Sequence, residues 1–420
     1  MNPSVDVAVI GGGSAGCFAA ISAARMGARV LLIEKNGILG GTTTAGRVNF
    51  PGLFHAWGKQ IIDGPAWESI LRCVQKGGAT LPDFPYKSEH HNRQQILLDI
   101  FTYTCVLDEM CAEAGVSLLF HSMVASVTET KDAVRLQIAT KEGLKEISAS
   151  ILIDATGDAD AIRMAGYPTK QSDRLQPATL INDLDGYDAD VIDYEALSQF
   201  LEDAYEKGTL RKEDSQGRDI TRMVRKKRIH MHVDAPNAHT SEGKTELELK
   251  ARATLGRILS CLSEFDGLHS IRVARFGAEC GVRETVRIVG EHEITAEEYL
   301  SGRIERDSVC HGFYPIDLHQ PLGIKQIFLE DGVVPTVPLG ALIPKHAARI
   351  LAAGRCLSSD TDANSALRVQ ATCMATGQVA GVAAALSARN GKAVTEISLP
   401  ELKDALRALG AIVPGDVTFA

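Results

Sequence analysis

The sequence contains no C-x-x-C pair, although it has nine cysteines. Without that spacing, a zinc knot, an iron–sulfur cluster and a thioredoxin-like disulfide are not expected. Scattered, unpaired thiols are typical of proteins in a reducing compartment. The cysteines stand at positions 17, 73, 105, 111, 261, 280, 310, 356 and 373.

Long apolar runs and an excess of positive charge are also lacking. No uninterrupted apolar run approaches the roughly 18 residues that a membrane helix needs. The formal net charge is -9 and the pI about 5.8, so neither nucleic acid nor a membrane is an expected partner. The densest basic run, RMVRKKRIHMH at 222–232, predicts a solvated loop leading into a strand. A glycine motif that begins at Gly11 leaves no room for a signal peptide, so we expect a cytoplasmic protein.

The first 34 residues contain a complete βαβ pattern. An apolar strand at 5–10 precedes a helix of small residues at 15–26 and a second strand at 29–33. Glu34 ends that strand, where a carboxylate accepts hydrogen bonds from ribose hydroxyls. Three glycines in G-x-G-x-x-G spacing let the backbone approach a pyrophosphate at the helix N-terminus. The pattern predicts dinucleotide binding, but NAD and FAD enzymes both use it. The glycines are Gly11, Gly13 and Gly16.

The pattern after Glu34 departs from that of an NAD domain. A loop rich in Gly and Thr, KNGILGGTTTAGRVNFPG, takes the place of the next βα unit, and it is typical of a segment that lies against a ligand. A helix is predicted at 92–115. Strand-like segments then lead to ILIDATGDAD, a second strand-to-loop turn, and they lie at 116–120, 121–127, 134–140 and 146–153.

The pattern changes from about residue 167 to residue 334, where strands and helices alternate irregularly between charged stretches. At Leu339 the apolar strand pattern returns, and Gly354 closes a strand ahead of a long helix that begins near Ser365. This helix is rich in small residues, which let another backbone approach closely. The sequence therefore predicts a discontinuous first domain, 1–166 plus 335–420, with 167–334 inserted into it. The small residues are Ala371, Ala375, Gly377, Ala380 and Gly381.

Several stretches between the first strand and the last long helix resemble one known family. They are VIGGGSAG, LIEK, LGGTTTAG, LIDATGDAD, GVRETVRIVGEHEIT, YPIDLHQP, LIPK and LAAGRCLSSDTDANSALRVQATCMATGQVAGVAAAL. The chain resembles FAD-dependent oxidoreductases of the two-dinucleotide-binding-domain flavoprotein type. Within that type it is similar to a bacterial group loosely related to the flavoproteins of fumarate reductase and succinate dehydrogenase. The resemblance implies an α/β fold, in which a Rossmann-like FAD-binding domain of the glutathione-reductase type carries an inserted α+β substrate domain.

The resemblance also implies which residues hold FAD. The glycine turn would hold the pyrophosphate, and the N-terminus of the long helix would face the N1–C2=O edge of the flavin. Succinate dehydrogenase-like proteins bond a histidine covalently to the flavin just after the Gly-Gly pair, whereas this chain has threonines at 42–44, so we expect non-covalent FAD. The implied contacts are Gly11, Gly13, Ser14, Gly16, Glu34, Lys35, Gly41, Thr42, Arg93, Val124, Gly157, Gly354, Arg355, Arg368 and Val369.

Candidate catalytic residues come from the inserted segment. YPIDLH places Tyr314, Asp317 and His319 close together, and the last two share a face if this segment is a strand. An Asp beside a His suits general acid/base work, although such a pair is also a common buried hydrogen bond. Arg283 suits bidentate binding of a substrate carboxylate, and a salt bridge to a nearby glutamate is the alternative.

Other polar residues give weaker signals. Arg47 lies in the loop rich in Gly and Thr, within reach of the flavin or the substrate. His230, His232 and His239 have no recognised ligand spacing, so no metal is expected.

These observations favour an FAD-dependent oxidoreductase that transfers a hydride between a small organic substrate and flavin N5. The direction of transfer and the oligomeric state stay open. One alternative is a flavoprotein subunit that receives electrons from a partner protein, since no second G-x-G-x-x-G indicates an NAD(P)H domain. Another is a flavoprotein that modifies tRNA, for which the net charge and the single short basic run are unfavourable.

Overall fold

The computed structural model describes residues 4–84, 91–173, 175–320 and 323–419. The strands are β1 (Ser4–Ile10), β2 (Val30–Ile33), β3 (His55–Ala56), β4 (Lys59–Gln60), β5 (Ser117–Leu119), β6 (Met123–Glu129), β7 (Val134–Thr140), β8 (Gly143–Asp154), β9 (Thr169–Gln171), β10 (Ala178–Asp185), β11 (Arg228–Val233), β12 (Arg272–Phe276), β13 (Val286–Ile288), β14 (Ser308–His311), β15 (Ile316–Gln320), β16 (Gly323–Ile327), β17 (Thr336–Pro338) and β18 (Ile350–Ala352). The helices are α1 (Ser14–Arg25), α2 (Pro65–Gln75), α3 (Ile100–Ala114), α4 (Asp160–Met164), α5 (Tyr194–Glu206), α6 (Lys212–Ser215), α7 (Ile220–Arg225), α8 (Ser241–Leu262), α9 (Ala296–Ser301), α10 (Thr361–Leu367), α11 (Gln370–Asn390) and α12 (Leu399–Ala408).

The main sheet has the strand order β5-β2-β1-β8-β7-β6, and β18 pairs with β8 beside it. β5, β2, β1, β8 and β18 pair in parallel, as the apolar runs predict, and β6 and β7 add an antiparallel edge. The parallel strands end level with one another, because Ile10 pairs with both Ile33 and Asp154, and Asp154 pairs with Ala352. The turns that follow these strands therefore meet at one edge, where ligands bind in open α/β sheets. The fold is the expected mixed α/β, Rossmann-like architecture.

Helices α1 and α11 pack backbone to backbone. A Cβ atom on Gly377 would lie 2.1 Å from the carbonyl oxygen of Ala15, and one on Gly381 would lie 2.2 Å from that of Ala19. The two contacts advance in the same direction along both helices, so the helices run parallel. The small residues predicted to allow a close approach therefore join the N-terminal and C-terminal parts of the chain.

A second sheet, β11-β10-β12, has a hydrophobic core of its own. One face of this sheet packs against α5, α7 and α8, and the buried side chains of this core lie between residues 178 and 282. The division of the chain at residues 167 and 334 stays a prediction. The cores divide the chain differently, since Ile294, Tyr299, Ile316 and Val334 belong to the same core as β1 and α1.

Three local predictions need correction. The helix expected at 92–115 begins at Ile100, because the Asp99 side chain caps it by accepting from Thr102 N. The long C-terminal helix is two helices, α10 and α11, separated at residues 368–369. The basic run at 222–232 is no solvated loop, since it forms the end of α7 and most of β11, and Arg225 stacks on the ring of Tyr194.

The cysteines and the longest apolar helix fit a folded interior. All nine cysteines are free thiols. In the described part of the chain, α11 is the one helix long and apolar enough to cross a membrane, and 94% of its apolar window is buried inside the protein. This burial identifies α11 as a core helix of the fold.

We expect Gly377→Ala to destabilise the protein, because its methyl group would overlap the Ala15 carbonyl. Overpacking of this kind costs about 1–3 kcal/mol. Gly256→Ala is the matched control, since that exposed glycine of α8 has open space around its Cβ position and alanine favours a helix by up to about 1 kcal/mol. Chemical denaturation should give a lower midpoint for the first variant and an unchanged or higher midpoint for the second. Equal midpoints for wild type and Gly377→Ala would contradict the packing described.

Candidate active site

A cavity of about 1000 Å³ lies at the edge where the parallel strands end. Its walls come from the turns after β1, β2, β8 and β18, from the N-terminus of α11, and from β10, β11 and β15. The two ends of the chain and the inserted segment therefore enclose one site.

The glycine turn after β1 forms an open cradle. Gly11 has φ +97°, and a Cβ there would lie 2.6 Å from the Ala155 carbonyl oxygen, while a Cβ on Gly16 would lie 1.8 Å from that of Gly11. These two glycines let α1, the turn and β8 pack closely. Gly13 differs, because the nearest atom to its Cβ position is 3.9 Å away. The space above Gly13, at the N-terminus of α1, is therefore free for an anionic group.

Glu34 is fixed at the cavity wall by two backbone donors. Gly12 N donates to Oε2 over 2.6 Å, and Asn36 N donates to Oε1 over 2.8 Å. The residue is 7% exposed, and burial raises the pKa of its carboxyl group. Each oxygen keeps a lone pair for a ligand hydroxyl, which fits the predicted ribose contact.

Arg355 links three parts of the site. Its guanidinium donates to Gly157 O over 2.9 Å, to Asp158 Oδ1 over 2.6 Å, and to Val282 O in the inserted segment. Gly157 has φ +81°, a backbone conformation that favours glycine, and a Cβ there would lie 2.9 Å from this guanidinium. The end of β18 is thereby held against the turn after β8 and against the second sheet.

The N-terminus of α11 points into the same cavity as that of α1. Gly377 is level with Ala15, and Gln370 lies seven residues before it, so α11 extends about 10 Å beyond α1 toward the cavity. Thr43 Oγ1 donates to Gln370 Oε1 over 2.6 Å, and Gln370 Nε2 donates to Val48 O over 2.7 Å. These bonds hold the loop rich in Gly and Thr against the helix end, where the helix dipole favours negative charge.

Asp317 and His319 lie two residues apart on β15, and both line the cavity. His319 Nε2 donates to Asp317 Oδ2 over 2.9 Å, and Gln326 Nε2 donates to Oδ1 over 3.0 Å. His319 Nδ1 is buried and has no partner among the described residues. Because Nε2 carries the proton in this bond, Nδ1 of the neutral ring offers a free lone pair. The pair is therefore oriented with its proton-accepting atom unoccupied.

The charges around this pair set its protonation. Burial, together with the charges of Arg283 and Arg368, lowers the pKa of His319 to about 4 although Asp317 opposes the shift. Burial would raise the pKa of Asp317, but the bonds from His319 and Gln326 and the charge of Arg368 bring it to about 2. At neutral pH the pair is a carboxylate beside a neutral imidazole.

Strand β11 supplies a wall of polar residues. Its odd-numbered positions, Ile229, Met231 and Val233, lie in the core beneath the second sheet. The alternate residues point to the opposite face. Arg228 and His230 line the cavity there, and Arg218 from the segment between α6 and α7 lies beside them.

Most of the predicted site residues line this cavity. All four candidate catalytic residues do so, namely Arg283, Tyr314, Asp317 and His319. Burial raises the pKa of the Tyr314 hydroxyl to about 12. The residues predicted to contact FAD that line the cavity are Gly11, Gly13, Ser14, Glu34, Lys35, Gly41, Thr42, Val124, Gly157, Gly354, Arg355, Arg368 and Val369.

Three predicted cofactor residues do not line the cavity. Gly16 lies behind the turn, where its role is packing. Arg47 pairs with Asp183 of β10, so its side chain joins the loop to the second sheet instead of reaching a ligand. Arg93 is exposed in a short 3-10 turn before α3 and does not head that helix, whereas Gln95 reaches the cavity.

The sequence analysis missed Arg218, Lys226 and Arg228 as cavity residues. The period-two pattern of RIHMHV, in which apolar and polar residues alternate, was the available signal for the last of these. In the described residues, no group of three or more His, Cys, Asp or Glu is arranged to hold a metal ion.

In a comparison with known proteins, the family FAD dependent oxidoreductase matches residues 6–406 of this chain. A fumarate reductase (cytochrome) from Shewanella frigidimarina is 42% identical over 82 residues, which are 19% of this chain and only 14% of that protein's length. A geranylgeranyl bacteriochlorophyll reductase-like protein from Thermoplasma acidophilum is similar in structure, with a TM-score of 0.47 and 13% identity over 97% of this chain and 83% of that one. An anhydrotetracycline hydroxylase from Streptomyces rimosus has a TM-score of 0.42 and 15% identity over 97% and 65%.

We expect Glu34→Gln to weaken FAD binding, because the amide loses its charge and turns an N–H group toward a backbone N–H. Hydrogen bonds to charged groups are worth about 1.5–3 kcal/mol, so the Kd for FAD should rise about tenfold or more. Glu113→Gln is the control, since Glu113 pairs with Arg72 at the surface. Fluorescence of released flavin measures both values. An unchanged Kd in a folded Glu34→Gln protein would exclude the proposed contact.

Proposed function

The chain belongs to the FAD-dependent oxidoreductase family, and from that premise we propose that it oxidises a small organic substrate by hydride transfer to flavin N5. The observation that carries the proposal is the Asp317–His319 pair in the wall of the cavity that the predicted cofactor residues line, with Nδ1 of His319 buried and without a hydrogen-bond partner among the described residues. The enzyme class and the cofactor follow from the family. The substrate, the direction of transfer and the residue roles are the proposal.

The residues present fit FAD. The open cradle at Gly13 suits the pyrophosphate, the fixed carboxylate of Glu34 suits the ribose, and Arg368 Nε is a buried donor without a partner among the described residues. We propose that FAD is held without a covalent bond. In support, Thr42 lies where a flavin-bonding histidine would stand, and His55, the next histidine, stacks on Phe84 at 3.7 Å between ring centroids.

The catalytic role of the protein is to position the substrate and to accept a proton. Bound FAD supplies a two-electron acceptor at N5. His319 is neutral at pH 7, and Asp317 keeps the proton on Nε2, so Nδ1 accepts a proton from a substrate O–H or N–H group. A neutral imidazole cannot donate that proton in the reverse reaction without first being protonated. We propose substrate oxidation as the direction, because the neutral imidazole is the form that can accept the proton.

We also propose the kind of substrate, the electron acceptor and the location of the enzyme. Its substrate is a small molecule, and its electrons leave to a quinone or to an electron-transfer partner protein. The nine free thiols support a reducing, cytoplasmic location.

The proposal is tested by anaerobic titration of the yellow holoprotein, with flavin absorbance as the signal. The panel contains small alcohols, hydroxy acids and amino acids, and also NADH and NADPH. Bleaching by a member of the organic panel is the expected result. Bleaching by the nicotinamides alone would reverse the proposed direction, and bleaching by dithionite alone would contradict substrate oxidation by this panel.

We expect His319→Gln to slow flavin reduction about 10²- to 10⁴-fold, the usual contribution of a general base. The pH profile of the wild type should have one limb near pH 4, with the rate rising as pH increases, because the neutral imidazole is the active form and burial lowers its pKa. The limb should vanish in the variant. The surface variant His269→Gln is the control. The rates of flavin reduction are measured by stopped flow across this pH range. If the low-pH limb persists in His319→Gln, a group other than His319 causes it.

A further inference from the structure

We propose that Arg218 and Arg283 form an oxyanion site that binds the carboxylate of the substrate directly beside His319. This inference deepens the proposed function and rests on it. It assigns a substrate class, namely small organic acids whose oxidised carbon lies next to the carboxylate, such as 2-hydroxy acids.

A single imidazole holds the two guanidinium groups together. His232 Nε2 lies 2.6 Å from Arg218 Nη2 and 3.3 Å from Arg283 Nη2. A guanidinium only donates, so Nε2 must accept from both and the ring is neutral. Burial and the two arginine charges lower the pKa of His232, which agrees with that geometry. The protein has thus placed two like charges side by side with an uncharged acceptor between them.

No carboxylate within the described residues forms an ion pair with either arginine. The nearby arginines differ, because Arg47 pairs with Asp183, Arg287 with Glu284 and Arg355 with Asp158. The carboxylate of Asp317 is already taken by His319 and Gln326. Lys226, Arg228 and Arg368 also line this part of the cavity, so the charge there is strongly positive.

Uncompensated, half-buried cations call for an anion. Burial lowers the pKa of both Arg218 and Arg283, because it disfavours a charged group. Arg283 Nη1 donates to Pro177 O over 2.6 Å, so its planar group is fixed in orientation. Two fixed guanidinium groups match the planar, bidentate geometry of a carboxylate.

The distance to the proton acceptor limits the substrate further. The ring centroids of His232 and His319 are 4.9 Å apart. A carboxylate bound at the arginines therefore brings its neighbouring carbon within reach of His319. For a 2-hydroxy acid, the C2–H bond breaks and its electron pair passes with the hydrogen to FAD, the hydroxyl proton passes to His319 Nδ1, and a C=O bond forms. The substrate loses two electrons and two hydrogens, and FAD is the oxidant.

Calorimetric titration of the holoprotein with oxalate tests the site. Oxamide, its uncharged isostere, is the ligand control, and inorganic phosphate tests whether any anion suffices. We expect Arg218→Gln and Arg283→Gln each to raise the Kd for oxalate about tenfold or more, since each removes one charge-assisted pair. Arg272→Gln is the matched control. Arg272 lies on β12, the edge strand of the second sheet, where it pairs with Asp185 and is exposed. Oxamide should bind far more weakly than oxalate.

Unchanged oxalate binding in both variants, or equal binding of oxamide, would overturn the proposal. Phosphate binding as tight as oxalate binding would exclude the preference for a carboxylate. Arg283→Lys serves if the Gln variant does not fold, because it keeps the charge and loses the fork, and its Kd should also rise. If oxalate binding depends on the arginines while no hydroxy acid bleaches the flavin, the oxyanion site stands and the proposed oxidation fails. If a hydroxy acid bleaches the flavin but oxalate binding does not depend on the two arginines, the proposed oxidation stands and the proposed oxyanion site is wrong.

Discussion

The backbone contact between α1 and α11 is the constraint on which the rest of the structure depends. Gly377 and Gly381 have no side chains, so α11 lies directly on the carbonyls of Ala15 and Ala19. The contact fixes the position of one helix N-terminus relative to the other, although they are more than 350 residues apart in the sequence. Because the helices are parallel, both positive ends face one cavity at different depths. An elongated anionic ligand that spans both ends fits this arrangement.

Acidic and basic side chains both line the cavity, and they differ in how they are paired. Asp158 pairs with Arg355 and Asp160 with Arg163, whereas Arg218 and Arg283 share the imidazole of His232 and have no ion pair with the described residues. Arg218 lies within the part of the chain that forms the second core and Arg283 directly follows it, so residues far from the glycine turn in the sequence complete the wall of the cavity.

The sequence predicted the parts of this site that have local signals. Gly11, Gly13, Glu34 and the Asp317–His319 pair follow from short-range patterns, and all of them line the cavity. Arg47 and Arg93 do not line the cavity, and for Arg47 the direction of the side chain depends on a partner, Asp183, that no local pattern shows. Arg218 could not be predicted for the same reason, because only the shared contact with His232 brings it close to Arg283. The break between α10 and α11 could not be predicted, because the residues around it are all compatible with a helix.

Arginines and histidines have different electrostatic roles in the cavity. Burial, together with neighbouring guanidinium charges, lowers the pKa of His230 and of His319 to about 4, so both rings are neutral at pH 7. The positive potential therefore comes from arginines, whose charge does not change between pH 5 and 8. The imidazoles are available instead as acceptors: His232 accepts from two guanidinium groups, and His319 is the proton acceptor that we propose. A site of this kind binds an anion with little dependence on pH and also contains a neutral base. A site that bound the anion with histidines would need them protonated, and a protonated histidine cannot act as the base.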